Sequence, residues 1–240
     1  MNIIEKIIKF CKSHRSASVS QCESVAKGAQ IDANNGEKEM KYLIVGLGNV
    51  GSEYEGTRHN CGFMALDALV KGTDVKFQLD RHAYRAEMRH KGRILVLIKP
   101  TTFMNLSGKA VKYWMMQEKI EQQNLLVLVD DIALPVGALR MKKQGSGGGH
   151  NGLGNIEQLI GPNYCRLRIG VGDNFSRGRQ VDYVLGQFSA EEHAVLDPAL
   201  EQAVEFVKAF CTVGPDRAMN MFNKKPKKEA QEKAETSNEK

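Results

Sequence analysis

The chain is poor in cysteine chemistry. Its five cysteines, Cys11, Cys22, Cys61, Cys165 and Cys211, are scattered through 240 residues, odd in number and without a C-x-x-C pair. Neither a disulfide framework nor a zinc site is indicated, and a reducing cytoplasm fits best. No apolar run approaches the ~18 residues of a membrane span. The first residues, MNIIEKIIKFCKSHRS, are too interrupted by Glu5, Lys6 and Lys9 to form the apolar stretch of a signal peptide. Also missing are the G-x-S-x-G elbow of a serine hydrolase, an obvious cysteine–histidine pair, and a G-x-x-x-x-G-K-S/T phosphate loop ahead of Asp130-Asp131. Covalent serine or cysteine catalysis and phosphate-loop magnesium chemistry are therefore disfavoured.

The chain does have the apolar content for one sizeable core, at 42% hydrophobic. Its pattern alternates strands and helices, which predicts a single α/β domain with a twisted, mixed, mostly parallel sheet flanked by helices. The expected organisation is an extension over 1–39, a domain over 40–222 and a lysine-rich tail over 223–240. Apolar positions 3, 4, 7, 8 and 10 suggest a short amphipathic helix in the extension, followed by a disordered linker, with Met40 directly before the first strand. The tail has too little apolar content to pack and is expected to be disordered.

Formal net charge is +6. Residues 1–39 hold six basic and five acidic side chains and residues 223–240 hold six and four, which leaves 22 against 19 between them. Within 138–179, however, seven basic residues face only Glu157 and Asp173, a cluster suited to phosphate.

Residues 41–60, KYLIVGLGNVGSEYEGTRHN, organise the rest. Tyr42–Val45 reads as a buried strand that turns at Gly46 and Gly48, and a helix is expected from about Asn60. Gly46 to Gly51 satisfies G-x-G-x-x-G, but a dinucleotide site needs the glycine turn to open a helix at once, and SEYEGTRHN intervenes. Further on, YRAEMRH and RILVLIK flank Lys91-Gly92 as a hairpin. Asn105 and Ser107 are potential helix caps, and LLVLV at 125–129 is a buried strand ending in Asp130-Asp131. Asn151 is a potential cap after a glycine-rich loop, RLRIGVG a strand, VDYVLGQF an edge strand or loop, and Ser189–Glu192 a capping box for a helix that Pro198 interrupts or restarts.

In open α/β sheets ligands bind beyond the carboxyl ends of the strands. Asn49, His59, Asn105, Asp130 and Asn151 all fall there, from separate segments. Each has a plainer role as turn, cap or loop residue. Together, a lone histidine, a carboxylate able to orient it and several amides are the kit for a water-activating general base with carbonyl-polarising donors.

GLGNVGSEYEGTRHN, KPTTFMNLSGKAV, VDDIALPVG, GGGHNGL and RLRIGVG, in this order and spacing, resemble the bacterial peptidyl-tRNA hydrolase family across residues 40–222. The resemblance implies hydrolysis of the ester joining a peptide to the 3′-terminal ribose of tRNA, without metal or cofactor, by a cytoplasmic monomer that needs no membrane. It implies His59 as base and Asp130 as the partner that orients it; were Asp130→Asn to leave activity unaffected, Asp131 would be the next candidate. Asn49 would help distinguish blocked from free aminoacyl ends. Tyr54, Phe103, Met104, Asn105 and Asn151 would line the substrate channel, while Lys142, Arg168 and Arg177 would meet tRNA phosphates. Val50 stands where the family usually has proline, and Ala133 where an acid is frequent. The same fold and much of the motif set occur in plant organelle splicing factors, so a binding protein that acts without hydrolysis is the alternative.

Overall fold

The computed structural model describes residues 39–223. The helix and linker expected over 1–38, and the tail beyond Asn223, lie outside the described residues. The described elements are β1 (Met40–Gly46), α1 (Cys61–Val70), β2 (Gln78–Asp80), β3 (Ala83–His90), β4 (Arg93–Pro100) and α2 (Ser107–Glu118), followed by β5 (Leu125–Asp131), β6 (Leu139–Lys142), α3 (Asn151–Ile160) and β7 (Cys165–Gly170). Then come α4 (Gln180–Val184), α5 (Ala190–Val213) and α6 (Pro215–Phe222).

Among these residues the strands form one seven-stranded mixed sheet in the order β2-β3-β4-β1-β5-β7-β6. Strands β4, β1, β5 and β7 pair in parallel, and the pairings at both margins are antiparallel. Alternation along the strands divides the core. Ile44, Leu97, Leu128 and Ile169 face α1, α5 and α6, whereas Val45, Val96, Val127 and Val129 face α2 and α3. Because helices cover both faces, β5 is buried over its whole length, which is why LLVLV reads as a continuous apolar run rather than an alternating one.

The hairpin forms as expected: His90 pairs with Arg93, and Lys91 and Gly92 have φ of 48° and 73°, the two positive values of a type I′ turn. The capping box is present too, with Ser189 accepting from the Glu192 backbone N–H and Glu192 accepting from that of Ser189.

Several local expectations are corrected. Of VDYVLGQF, expected as an edge strand or loop, Leu185–Phe188 is loop but Val181–Val184 belongs to the short helix α4, because β6 already occupies the free side of β7. The outer edge of β6 is covered in turn, since the Asn223 side chain accepts from the Met141 N–H and donates to the Met141 carbonyl, at 2.9 and 3.0 Å. Pro198 does not break α5, whose buried stripe Leu196, Leu200, Ala203, Val207 and Phe210 holds the helix against the sheet. That packing offsets the roughly 3 kcal/mol a proline costs within a helix. Neither Asn105 nor Ser107 caps α2: Ser107 is its first residue and bonds the Met104 carbonyl, while the Asn155 side chain accepts from the Gly108 N–H. The cap of α3 is His150, not Asn151.

The turn after β1 depends on close backbone approach. A Cβ at Gly62, in the first turn of α1, would collide with the backbone of Leu47 and the carbonyl of Leu128. Leu128 lies within β5, and the Leu47 N–H is hydrogen-bonded to its carbonyl, so neither can give way easily. Gly62→Ala is expected to destabilise the protein by about 1–3 kcal/mol, the usual range for overpacking, measured as a lower midpoint in urea unfolding.

Candidate active site

The site is assembled at the carboxyl ends of β1, β4, β5 and β7, with the glycine-rich loop before α3 closing one side. Leu47, fully buried, donates its N–H to the Leu128 carbonyl at 3.0 Å and so ties the turn after β1 to β5. Asn49 follows and is gripped by Asn60: the Asn49 N–H donates to Oδ1 at 2.8 Å, and Asn60 Nδ2 donates to the Asn49 carbonyl at 3.0 Å. The Asn49 backbone is thereby fixed, and its side chain borders the cleft.

His59 lies between Arg58 and Asn60 in a single 3₁₀ turn. On one side Arg58 anchors it. The guanidinium makes a two-pronged pair with Glu192, at 2.9 and 2.7 Å, and donates to the Gln187 carbonyl, while the rings of Tyr183 and Phe188 lie 4.3 and 4.9 Å from it. On the other side Asn60 fastens it to Asn49.

Asp130, the penultimate residue of β5, has a side chain only 3% exposed. Its Oδ2 meets His59 Nδ1 at 2.9 Å and its Oδ1 meets His150 Nε2 at 3.0 Å. His150 caps α3 through Nδ1, which accepts from the N–H groups of Gly152 and Leu153. An Nδ1 that accepts carries no proton, so His150 donates Nε2–H to Asp130. The other carboxylate oxygen then takes Nδ1–H of His59, which leaves His59 Nε2 as the nitrogen with a free lone pair. The two rings stand 4.8 Å apart.

Burial works against the Asp130 carboxylate, but His150 and then His59 outweigh it and hold its pKa far below the usual range. For His59, burial favours the neutral ring, yet the hydrogen bond and charge of Asp130 prevail and raise its pKa above 6.5. His59, Asp130 and His150 bring potential metal-ligand atoms within 4.8 Å of one another. With His150 presenting an N–H at the inward nitrogen, the trio is arranged as a hydrogen-bond relay rather than as a ligand set.

These groups border a cavity of about 260 Å³ that also touches Met104, Asn151 and Arg168. A second cavity, of about 410 Å³, shares Asn49 and is lined by Tyr54 and Phe103, the latter 79% exposed. A third, of about 570 Å³, contains Asn105 and the glycine run and shares His150 and Asn151. The expected channel residues thus all lie along one cleft system. The basic residues do not form the single cluster their sequence spacing suggests. Arg166 is 1% exposed and paired with Glu157, Arg179 pairs with Asp182, and Lys143 with Asp216. Arg168 lines the cleft but pairs with Asp131 at 2.7 Å, so Asp131 is a partner of arginine. Lys142 stands beside Arg168 and Arg140 on the sheet margin, whereas Arg177 is exposed in the loop between β7 and α4.

Sequence reasoning missed His150, Asn60 and the Arg58–Glu192 pair. A signal existed for His150, which directly precedes α3 and follows three glycines; the capping role was given instead to its neighbour Asn151. No signal linked Arg58 to Glu192 across 134 positions.

No described helix is long and apolar enough to cross a membrane. The family model described as peptidyl-tRNA hydrolase matches residues 43–231. A peptidyl-tRNA hydrolase of Cytophaga hutchinsonii is 59% identical over 187 residues, which make up 78% of this chain and all of the relative. One from Porphyromonas gingivalis is 55% identical over 185 residues, 77% of this chain and again the whole relative. The crystal structure of peptidyl-tRNA hydrolase from Acinetobacter baumannii superposes with a TM-score of 0.72 at 37% identity, covering 76% of this chain and 94% of that one. These matches give the alternative of a binding protein without hydrolysis no support. Matched by the family model over most of its length and by relatives at 55–59% identity along their whole length, the chain belongs to the peptidyl-tRNA hydrolase family.

Proposed function

We propose that the protein cleaves the ester between a peptide and the 3′-terminal ribose of tRNA with a water activated at His59 Nε2. The observation that carries this reading is the doubly engaged Asp130: with His150 on its other oxygen, it takes Nδ1–H of His59 and leaves Nε2, on a ring that borders the cleft, with a free lone pair. In the reaction the water oxygen attacks the ester carbonyl while His59 takes its proton. The tetrahedral intermediate collapses, the C–O bond to the ribose breaks, and the imidazolium returns the proton to the departing 3′ oxygen. Asp130 stabilises that imidazolium without becoming protonated.

Asn49 is the donor assigned to the substrate carbonyl of a blocked aminoacyl end, supported by its rigid backbone and its place on the cleft wall. Tyr54, Phe103, Met104, Asn105 and Asn151 are assigned to the path of the peptide and the terminal nucleotide, and Lys142, Arg168 and Arg177 to tRNA phosphates. Arg168 reaches a phosphate only in competition with Asp131. The catalytic domain is taken as residues 40–222, and the protein as a cytoplasmic monomer. In support of the compartment, the free thiols Cys61, Cys165 and Cys211 suit a reducing one.

Turnover of an N-blocked aminoacyl-tRNA is the direct test. His59→Ala is expected to lower kcat by about 10²- to 10⁴-fold while tRNA affinity stays near wild type; near-normal turnover would remove His59 from the base role. Asp130→Asn should lower kcat by less than loss of His59, because the ring remains but without the charge that orients it.

The pH dependence follows from the raised pKa of His59. The base works only when unprotonated, so kcat/KM should climb with pH through an apparent pKa above 6.5. In Asp130→Asn the cause of the rise is gone and burial alone remains, so the limb should move to lower pH even as the plateau falls. An unshifted limb would assign that titration to another group.

His150→Ala removes both the cap of α3 and a donor to a buried carboxylate. An expected loss of about 1–3 kcal/mol would appear in urea unfolding, accompanied by lower kcat.

A further inference from the structure

The cations assigned to tRNA phosphates, Lys142 and Arg168, stand on β6 and β7 at one margin of the sheet, while Asp130 stands on β5 near its middle. The cavity of about 410 Å³ that shares Asn49 lies on the opposite flank. It is lined by Thr101 and Thr102, directly after β4, and by His82, in the turn between β2 and β3. An ester has two arms, so with the ribose arm drawn toward β7 and β6, the acyl arm is left the side of β4. Val50, Phe103 and Leu106 give this cavity apolar walls, and its volume falls within the range of small-ligand sites.

The end of the cavity away from Asn49 is cationic and braced. Asp80 pairs with Ala83, so Arg81 and His82 are the two residues of a tight turn. The Arg81 carbonyl accepts from Trp114 Nε1 at 3.1 Å, and the His82 carbonyl accepts from the Thr101 N–H at 2.8 Å. The Tyr113 ring packs against both side chains, 5.5 Å from the imidazole and 5.4 Å from the guanidinium. Lys109 precedes Tyr113 by one turn on the same face of α2 and lines the cavity. His82 has φ of 65°, a left-handed conformation that glycine would take without strain, and a side chain held there points to a use for it. Among the described residues no carboxylate pairs with Arg81 or Lys109. From β1 to this turn is two to three strand spacings, roughly 10–14 Å, which about three or four extended residues cover.

We propose that Lys109, backed by Arg81 and His82, forms a subsite that favours peptides with an acidic side chain at the second or third residue from the scissile ester. The subsite rests on the hydrolase function proposed for the cleft. A phosphodiester backbone would need cations repeated along an open surface, whereas these converge at one end of an apolar-walled cavity. The test uses N-acetylated tripeptidyl-tRNAs that carry Glu, Gln or Lys at both residues beyond the esterified one. Each is cleaved by the full chain, by Lys109→Gln and by Lys109→Glu.

The full chain should cleave the Glu substrate with a kcat/KM about 3- to 5-fold above that of the Lys substrate, the size of one exposed ion pair. The difference should lie in KM, because the contact is the same in the ground state and the transition state. Lys109→Gln should bring the ratio toward unity, and Lys109→Glu should reverse the order. No discrimination by the full chain, or an order that Lys109→Glu leaves unaltered, would overturn the subsite. An equal rise in KM on all three substrates in both variants would put Lys109 against a tRNA phosphate and overturn it as well. Failure of the wild-type chain to cleave any of the three would instead overturn the hydrolase function, so the two failures are distinguishable.

Discussion

A carboxylate with 3% of its side chain exposed, at the end of a strand buried along its whole length, persists as an anion only if the protein replaces the water it has lost. Asp130 gets that replacement from two imidazole N–H groups, one on each oxygen. The rest of the site follows from this constraint. His150 can donate because its other nitrogen is committed to the first turn of α3, so the helix cap and the charge compensation are the same residue. His59, donating from Nδ1, keeps Nε2 open. The geometry that stabilises the buried charge is also the geometry a general base requires.

Holding His59 in place needs more than Asp130, because a 3₁₀ turn of three residues has little rigidity of its own. The sequence neighbours of His59 supply it from both sides. Asn60 closes the loop back onto Asn49, and Arg58 crosses to the start of α5, where Glu192 serves both the capping box and the guanidinium. Glycine makes the approach possible: with Gly62 at the start of α1, the helix sits directly on the backbone of β5 and of the turn after β1. The loop that carries His59 is therefore a rigid part of the fold rather than a flexible appendage.

Much of this was legible in the sequence. The continuous apolar run at 125–129 announced a strand covered on both faces, and two acids directly after it could only emerge at one end of the sheet. Asn49, His59, Met104, Asp130 and Asn151 share one cleft for the same reason, since strand polarity alone places their segments together. What stayed hidden was decided by pairings across long sequence separations. The basic cluster over 138–179 looked uniform until the strands paired and sent Arg166 inward to Glu157 while Arg168 met Asp131. VDYVLGQF carries strand-like residues, yet the sheet edge near it was already taken by β6 and Asn223. Asn151 has a capping side chain, but His150 stands one position earlier, and position within the turn outweighs propensity.

The chemistry of the cleft turns on where two protons sit. The most direct measurement is of the imidazole ¹⁵N chemical shifts of His59 and His150 in the resting protein, above the pKa of His59. His59 is expected to carry its proton on Nδ1 with Nε2 bare, and His150 to carry its proton on Nε2 with Nδ1 accepting. A His59 ring protonated on Nε2 would contradict the general-base mechanism, because no lone pair would then face the cleft to receive a proton from water.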